Sequence, residues 1–122
     1  MLLISNCLAG LVALLHLWFL VLEMALWTKP LGLKTFRMSP EKAETTRVLA
    51  ANQGLYNGFL AAGIGFALIY PDTGAGRDIL TFFLLCVVVA GAYGAWTVSR
   101  RILWIQALPA ALSLVFLWLS QP

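Results

Sequence analysis

Charged side chains are scarce: they make up 11% of the 122 residues, with five acids, one histidine and two cysteines. Each scarcity excludes a class of chemistry. His16 and Glu23 lie about 10 Å apart along one helix, short of a metal ligand set, so no metal is expected. No nucleophile grouping, glycine-rich phosphate loop or nucleotide motif is present, and no cofactor is expected. Cys7 and Cys86 fall in the outer halves of their helices. They could form one disulfide in an oxidising compartment, or they are two buried small apolar side chains. Polar surface is missing too. At 61% hydrophobic and a mean hydropathy of +0.90, a chain of this size could not be covered as a soluble domain.

What is present in abundance is long apolar sequence. A bilayer-spanning helix needs roughly 20 mostly apolar residues. Stretches at about 3–27, 48–70, 79–98 and 102–120 qualify. They predict an all-α integral membrane bundle of four transmembrane helices in a single domain, residues 1–122, with no extramembrane module. The first stretch lacks a basic n-region and is too long for an h-region, so it reads as an uncleaved helix. Seven of the eight basic residues (Lys29, Lys34, Arg37, Lys42, Arg47, Arg100 and Arg101) lie in the first and third loops, and only Arg77 lies in the second. By the positive-inside rule this puts both termini outside, in a multi-pass protein of the bacterial inner membrane. The same bias accounts for the net charge of +3, so no nucleic-acid partner is expected.

The first loop is the sizeable one. Pro30 and Gly32 are expected to end the first helix. Ser39-Pro40-Glu41 reads as an N-cap, a proline at the first helical position and an acid in the first turn, so the second helix would run over about 40–70. Pro71 would stop it, with Gly74 and Gly76 in a short outer turn. Trp27, Trp96 and Trp104 fall near the cytoplasmic boundary as interfacial anchors.

Against this apolar background, two helices carry polar groups that a bilayer disfavours. A charged side chain at a helix centre costs about 2.5–3.5 kcal/mol on insertion scales, which makes an intramembrane carboxylate a functional-site hypothesis by default. His16 and Glu23 share a face of the first helix to within about 20°. Asn52, Gln53, Tyr56 and Asn57 occupy an arc of about 140° on the second. Ala50, Gly54, Gly58 and Ala62 form a small-residue row on its other side, where another helix could approach closely; Gly94 is a further packing position. Antiparallel helices place Glu23 at the depth of Asn52 and Gln53. Gln106 on the fourth helix lies at that depth as well, and Pro109 frees the Ile105 carbonyl there. The expected site is a polar pocket in the cytoplasmic half, lined by Glu23, Asn52, Gln53, Tyr56 and Asn57 with His16 at its floor. Gln106 reads as interhelical glue.

The runs Leu22-Glu23-Met24 with Trp27, then Pro30 and Phe36, then the stretch Ala50 to Gly63 (AANQGLYNGFLAAG) resemble a known family. It comprises the small four-helix bacterial membrane proteins grouped as domain of unknown function thirteen-zero-four. The resemblance extends over nearly the whole chain, including His16. It implies four spanning helices and a membrane location, and supplies no activity or ligand.

Three functions remain open. In the first, the protein binds or transports a small amphipathic or cationic solute, with Glu23 as counter-ion or proton carrier. This is similar in outline to the small multidrug exporters. Those exporters work as antiparallel dimers with weak charge bias, whereas this chain's bias fixes one orientation. Transport would then use a parallel homo-oligomer over Gly54/Gly58 or Ala90/Gly94. In the second, it is a membrane-embedded isomerase or lyase acting on a lipid-like substrate, with His16, Glu23 and Tyr56 as catalytic acid/base candidates. In the third, the polar residues only fix helix packing.

Overall fold

In a computed structural model that describes residues 1–120, every regular element is a helix and no strand occurs among the described residues. The elements are α1 (Leu2–Met24), α2 (Pro30–Phe36), α3 (Pro40–Ile69), α4 (Thr73–Thr97) and α5 (Leu108–Leu119), with a π-helical segment, Leu103–Ala107, leading into α5. Two helices, α1 and α4, are long and apolar enough to cross a membrane. Only 28% and 22% of their most apolar windows are buried, so their apolar surface faces outward rather than into a protein core. Large side chains such as Leu3, Val89 and Trp96 lie on that outer surface.

The chain divides into two compact units: residues 1–15 with 60–122, and residues 16–59. In the first, pieces of α1, α3, α4 and α5 share a core of Val12, Ile64, Leu84, Val87 and Leu117, with the small Ala9 and Ala110 between them. Buried hydroxyls are satisfied in pairs. Ser5 Oγ donates to the Ser113 carbonyl at 2.8 Å and Ser113 Oγ donates back to the Ser5 carbonyl at 2.9 Å. At Gly91 a Cβ would lie 2.8 Å from the Ala107 nitrogen, so only glycine lets α4 pass the π-helical segment.

That segment shows how Pro109 is accommodated. Proline has no N–H to give the fourth carbonyl before it. One residue earlier the ladder has widened: the Leu108 N–H bonds to the Leu103 carbonyl, five residues back.

The second turn of the chain differs from the sequence expectation. Gly74 and Gly76 lie inside α4, which starts at Thr73. Asp72 caps it, its Oδ1 accepting from the Gly74 N–H at 2.9 Å and the Ala75 N–H at 3.5 Å. Gly76 is buried, where a Cβ would come within 3.0 Å of the Ala67 carbonyl oxygen. A close approach, not a turn, explains that glycine.

In the unit of residues 16–59, Pro30 starts a helix rather than ending one, since α1 already stops at Met24. It is the first residue of α2, preceded by the extended Lys29. Gly32 is buried, and a Cβ there would collide with the Leu26 carbonyl oxygen. Arg37 closes α2 in the left-handed region at φ 53°, its N–H bonding to the Leu33 carbonyl. Ser39 Oγ accepts from the Lys42 N–H at 3.1 Å and opens α3. Trp27 is less an exposed anchor than a packing residue. It is half-buried, its ring 4.8 Å from Phe36, and its Nε1 donates to Thr46 Oγ1 at 3.0 Å. Trp96 and Trp104 are exposed.

Both cysteines are free, and Cys7 is exposed rather than buried.

Candidate functional site

Glu23 lies one residue before the end of α1 and is 5% exposed. Asn57, seventeen residues into α3, donates from Nδ2 to Glu23 Oε1 at 2.5 Å. The two helices meet there because α3 presents its small-residue row to α1. A Cβ on Gly54 would lie 2.7 Å from Met24 Cγ and 3.1 Å from Glu23 Cβ, and one on Gly58 would lie 2.7 Å from Leu20 Cδ1. Gly94, in the other unit, packs near Ile102, where a Cβ would stand 3.1 Å from Cγ2.

This reverses the expected arrangement of α3. The sequence pattern leaves the glycine row to a further helix or a second copy and turns the polar arc towards Glu23. Instead α1 covers Gly54 and Gly58. The polar residues point elsewhere, apart from Asn57, which sits about 60° round the helix from Gly54 at 100° per residue. Asn52 is exposed and donates to the Val48 carbonyl of its own helix at 2.9 Å. Gln53 is exposed, and Tyr56 is 62% exposed with its ring 6.0 Å from Phe59. His16 is fully buried, edge-on to Phe19 at 5.3 Å between ring centroids. Gln106 lies in the π-helical segment and is half-buried. Of the six expected ligand-binding residues, Glu23 and Asn57 are therefore brought into direct contact. Neither of two open clefts found elsewhere is lined by any of the six.

The electrostatics of Glu23 are unusual because, among the described residues, no lysine or arginine forms an ion pair with it. Among the described residues the ion pair is Arg47–Glu44, exposed on the first turns of α3, with Arg47 Nε 3.3 Å from Glu44 Oε1. A carboxylate accepts about four hydrogen bonds, and the Asn57 amide supplies one. The site can therefore hold a proton or receive a cationic or hydrogen-bond-donating group. Among the described residues no cluster of His, Cys, Asp or Glu could hold a metal ion.

Sequence reasoning missed a separate polar feature. Arg77, read only as the one basic residue of the second loop, is built into the first unit. Its Nη2 donates to the Leu117 carbonyl at 3.0 Å, and its guanidinium carbon stands 5.1 Å from the centre of the Trp118 ring. Its place as the one basic residue between Val48 and Ser99 was the available signal.

Comparison with known proteins places these residues in a family context. The family model described as "Protein of unknown function (DUF1304)" matches residues 10–118, a span that includes Glu23 and Asn57. The chain is similar to "Uncharacterized protein YpaA" of Lactococcus lactis subsp. lactis (strain IL1403), 28% identical over 117 residues, which covers 94% of this chain and 97% of the relative. No solved structure matches.

Proposed function

The chain belongs to the family described as protein of unknown function DUF1304, and on that premise we propose a small multi-pass protein of the bacterial inner membrane that binds or transports a cationic amphiphile. Glu23 is its counter-ion or proton carrier, and Asn57 orients the carboxylate. The observation that carries the reading is the buried Glu23 carboxylate, hydrogen-bonded by an amide and, among the described residues, paired with no lysine or arginine. An ionised group in that position needs a positive charge from a proton or a ligand.

The proposal includes four crossings with both termini outside. In that topology α1, α3, α4 and the Leu103–Leu119 stretch traverse the bilayer, and seven of eight basic residues stay inside. Glu23 then lies near the inner end of α1, reachable from the cytoplasm.

A second reading has one observation in its favour. The Asn57–Glu23 bond joins two helices, as a purely structural tie would. The acid/base enzyme reading is weaker, because Tyr56 is exposed and it is Asn57 that bonds to Glu23.

The test is native mass spectrometry of protein extracted gently from its own membrane, with Glu23→Gln beside wild type. Liposome uptake of a fluorescent cationic amphiphile, with and without a proton gradient, accompanies it. Glu23→Gln keeps the shape and the Asn57 contact but removes the charge. Retention and uptake are expected to fall at least about tenfold while the helix content stays unchanged. A wild-type protein that carries nothing and transports nothing, with the variant altered only in assembly, would leave the structural tie.

A further inference from the structure

We propose that the cleft around Arg77 is a binding site for an anionic phospholipid, separate from Glu23 and independent of its assignment. The cleft has a volume of about 420 Å³ and lies where α1 and α4 begin and α5 ends. Its polar lining is Asn6, Tyr70, Thr73, Arg77 and Ser120. Among the described residues this amounts to one cation with hydroxyl and amide groups, and no carboxylate side chain. Asp72 is adjacent in sequence, but its Oδ1 is taken by the Gly74 and Ala75 N–H groups. Asp78 is exposed and does not line the cleft.

Arg77 is held as a binding group would be. Trp118 flanks its guanidinium, and Trp118 is itself fixed by a bond from its Nε1 to Thr81 Oγ1 at 3.1 Å. One donor, Nη2, is used on the Leu117 carbonyl. Nε is buried and, among the described residues, bonds to no acceptor. A guanidinium has five N–H donors in a planar fork that matches phosphate oxygens. The remaining wall of the cleft, including Leu68, Leu80 and Leu117, is aliphatic. A head with acceptor oxygens joined to an acyl chain satisfies both halves of this lining. Arg77 also stands only four residues into α4, about 6 Å from its start, the depth at which a phosphate meets the end of a membrane helix.

The experiment places the whole chain in nanodiscs of phosphatidylglycerol mixed with phosphatidylcholine and counts retained lipids by native mass spectrometry. Wild type, Arg77→Met, Arg77→Lys and Asn6→Leu are compared, with and without excess inorganic phosphate. Wild type is expected to retain phosphatidylglycerol over phosphatidylcholine by about tenfold. That preference should vanish in Arg77→Met, fall partway in Arg77→Lys, and weaken in Asn6→Leu, which leaves the Trp118 and Leu117 contacts intact. If Arg77→Met does not fold, Asn6→Leu and Arg77→Lys decide the matter. Equal retention of the two lipids, or a preference untouched in every folded variant, overturns the proposal. Displacement by inorganic phosphate without any lipid preference also overturns it, in favour of a free-anion site.

Discussion

One buried polar contact in each unit makes an instructive contrast. In the unit of residues 1–15 and 60–122, Ser5 and Ser113 exchange hydroxyl-to-carbonyl bonds, and each hydroxyl is bonded within the pair. In residues 16–59, Glu23 receives one bond from Asn57, and its remaining acceptor capacity has no basic partner. Both arrangements tie helices together where water is scarce. The serine pair is neutral and closed, so it explains packing and nothing more. The glutamate carries an ionisable group that packing does not require, because an amide would serve as well. The difference separates a structural device from a candidate site.

The largest expected effects test whether the two units are energetically distinct. Gly32→Ala forces a methyl against the Leu26 carbonyl, and Gly91→Ala forces one to within 2.8 Å of the Ala107 nitrogen. In both the obstacle is backbone, which cannot rotate away. Each should cost about 3 kcal/mol, the upper part of the overpacking range. Hydrogen exchange in nanodiscs then sharpens the comparison. Gly32→Ala should accelerate exchange around residues 26–36 and leave 80–117 protected, and Gly91→Ala should do the reverse. Acceleration of both regions by either variant would show one cooperative body instead.

Removing polar partners comes next in size. Asn57→Leu deprives a buried carboxylate of its donor and should cost about 1.5–3 kcal/mol, the range for a hydrogen bond to a charged group. Ser5→Ala should cost less, with a Ser5–Ser113 coupling near the membrane average of about 0.6 kcal/mol. Unfolding by steric trapping in bicelles measures both. An Asn57→Leu cost no larger than that of Ser5→Ala would place Glu23 in the neutral, closed class and remove the contrast between the units.

How far the sequence reveals this depends on whether a residue's role is local. Ser39-Pro40-Glu41 marks the start of α3 because capping is decided within one turn, and Lys42 bonds to Ser39 accordingly. Pro30 and Gly76 mislead for the opposite reason. A proline that breaks a helix interior is well suited to the first helical position, and Pro30 begins α2 six residues after α1 has ended. A glycine expected in a turn is instead required by a backbone crossing that only the folded chain reveals. The meeting of Glu23 with α3 is legible from matched depth. Which part of the polar arc meets it is not, because the glycines decide how closely helices approach. Asn57 borders the glycine row and reaches Glu23, while Asn52 and Tyr56, further round, face outward.

The smallest effect concerns Arg37, the single described non-glycine residue at positive φ. It closes α2 at φ 53°, a region that costs a residue with a Cβ roughly 1 kcal/mol and glycine little. An L-residue kept there needs some other use, and Arg37 is one of the basic side chains of the first loop, exposed to solvent or lipid headgroups. Arg37→Gly should therefore stabilise residues 16–59 by about 0.5–1 kcal/mol in bicelle unfolding, while removing one of the positive charges that bias orientation. In the proposed topology six of the remaining seven basic residues would still share the inner side, so a reporter fused to the C-terminus should stay outside. If Arg37→Gly destabilised the protein instead, the guanidinium would be holding the loop in place. The basic first loop would then contribute to the fold as well as to the topology, and the open polar chemistry of this unit would extend beyond Glu23.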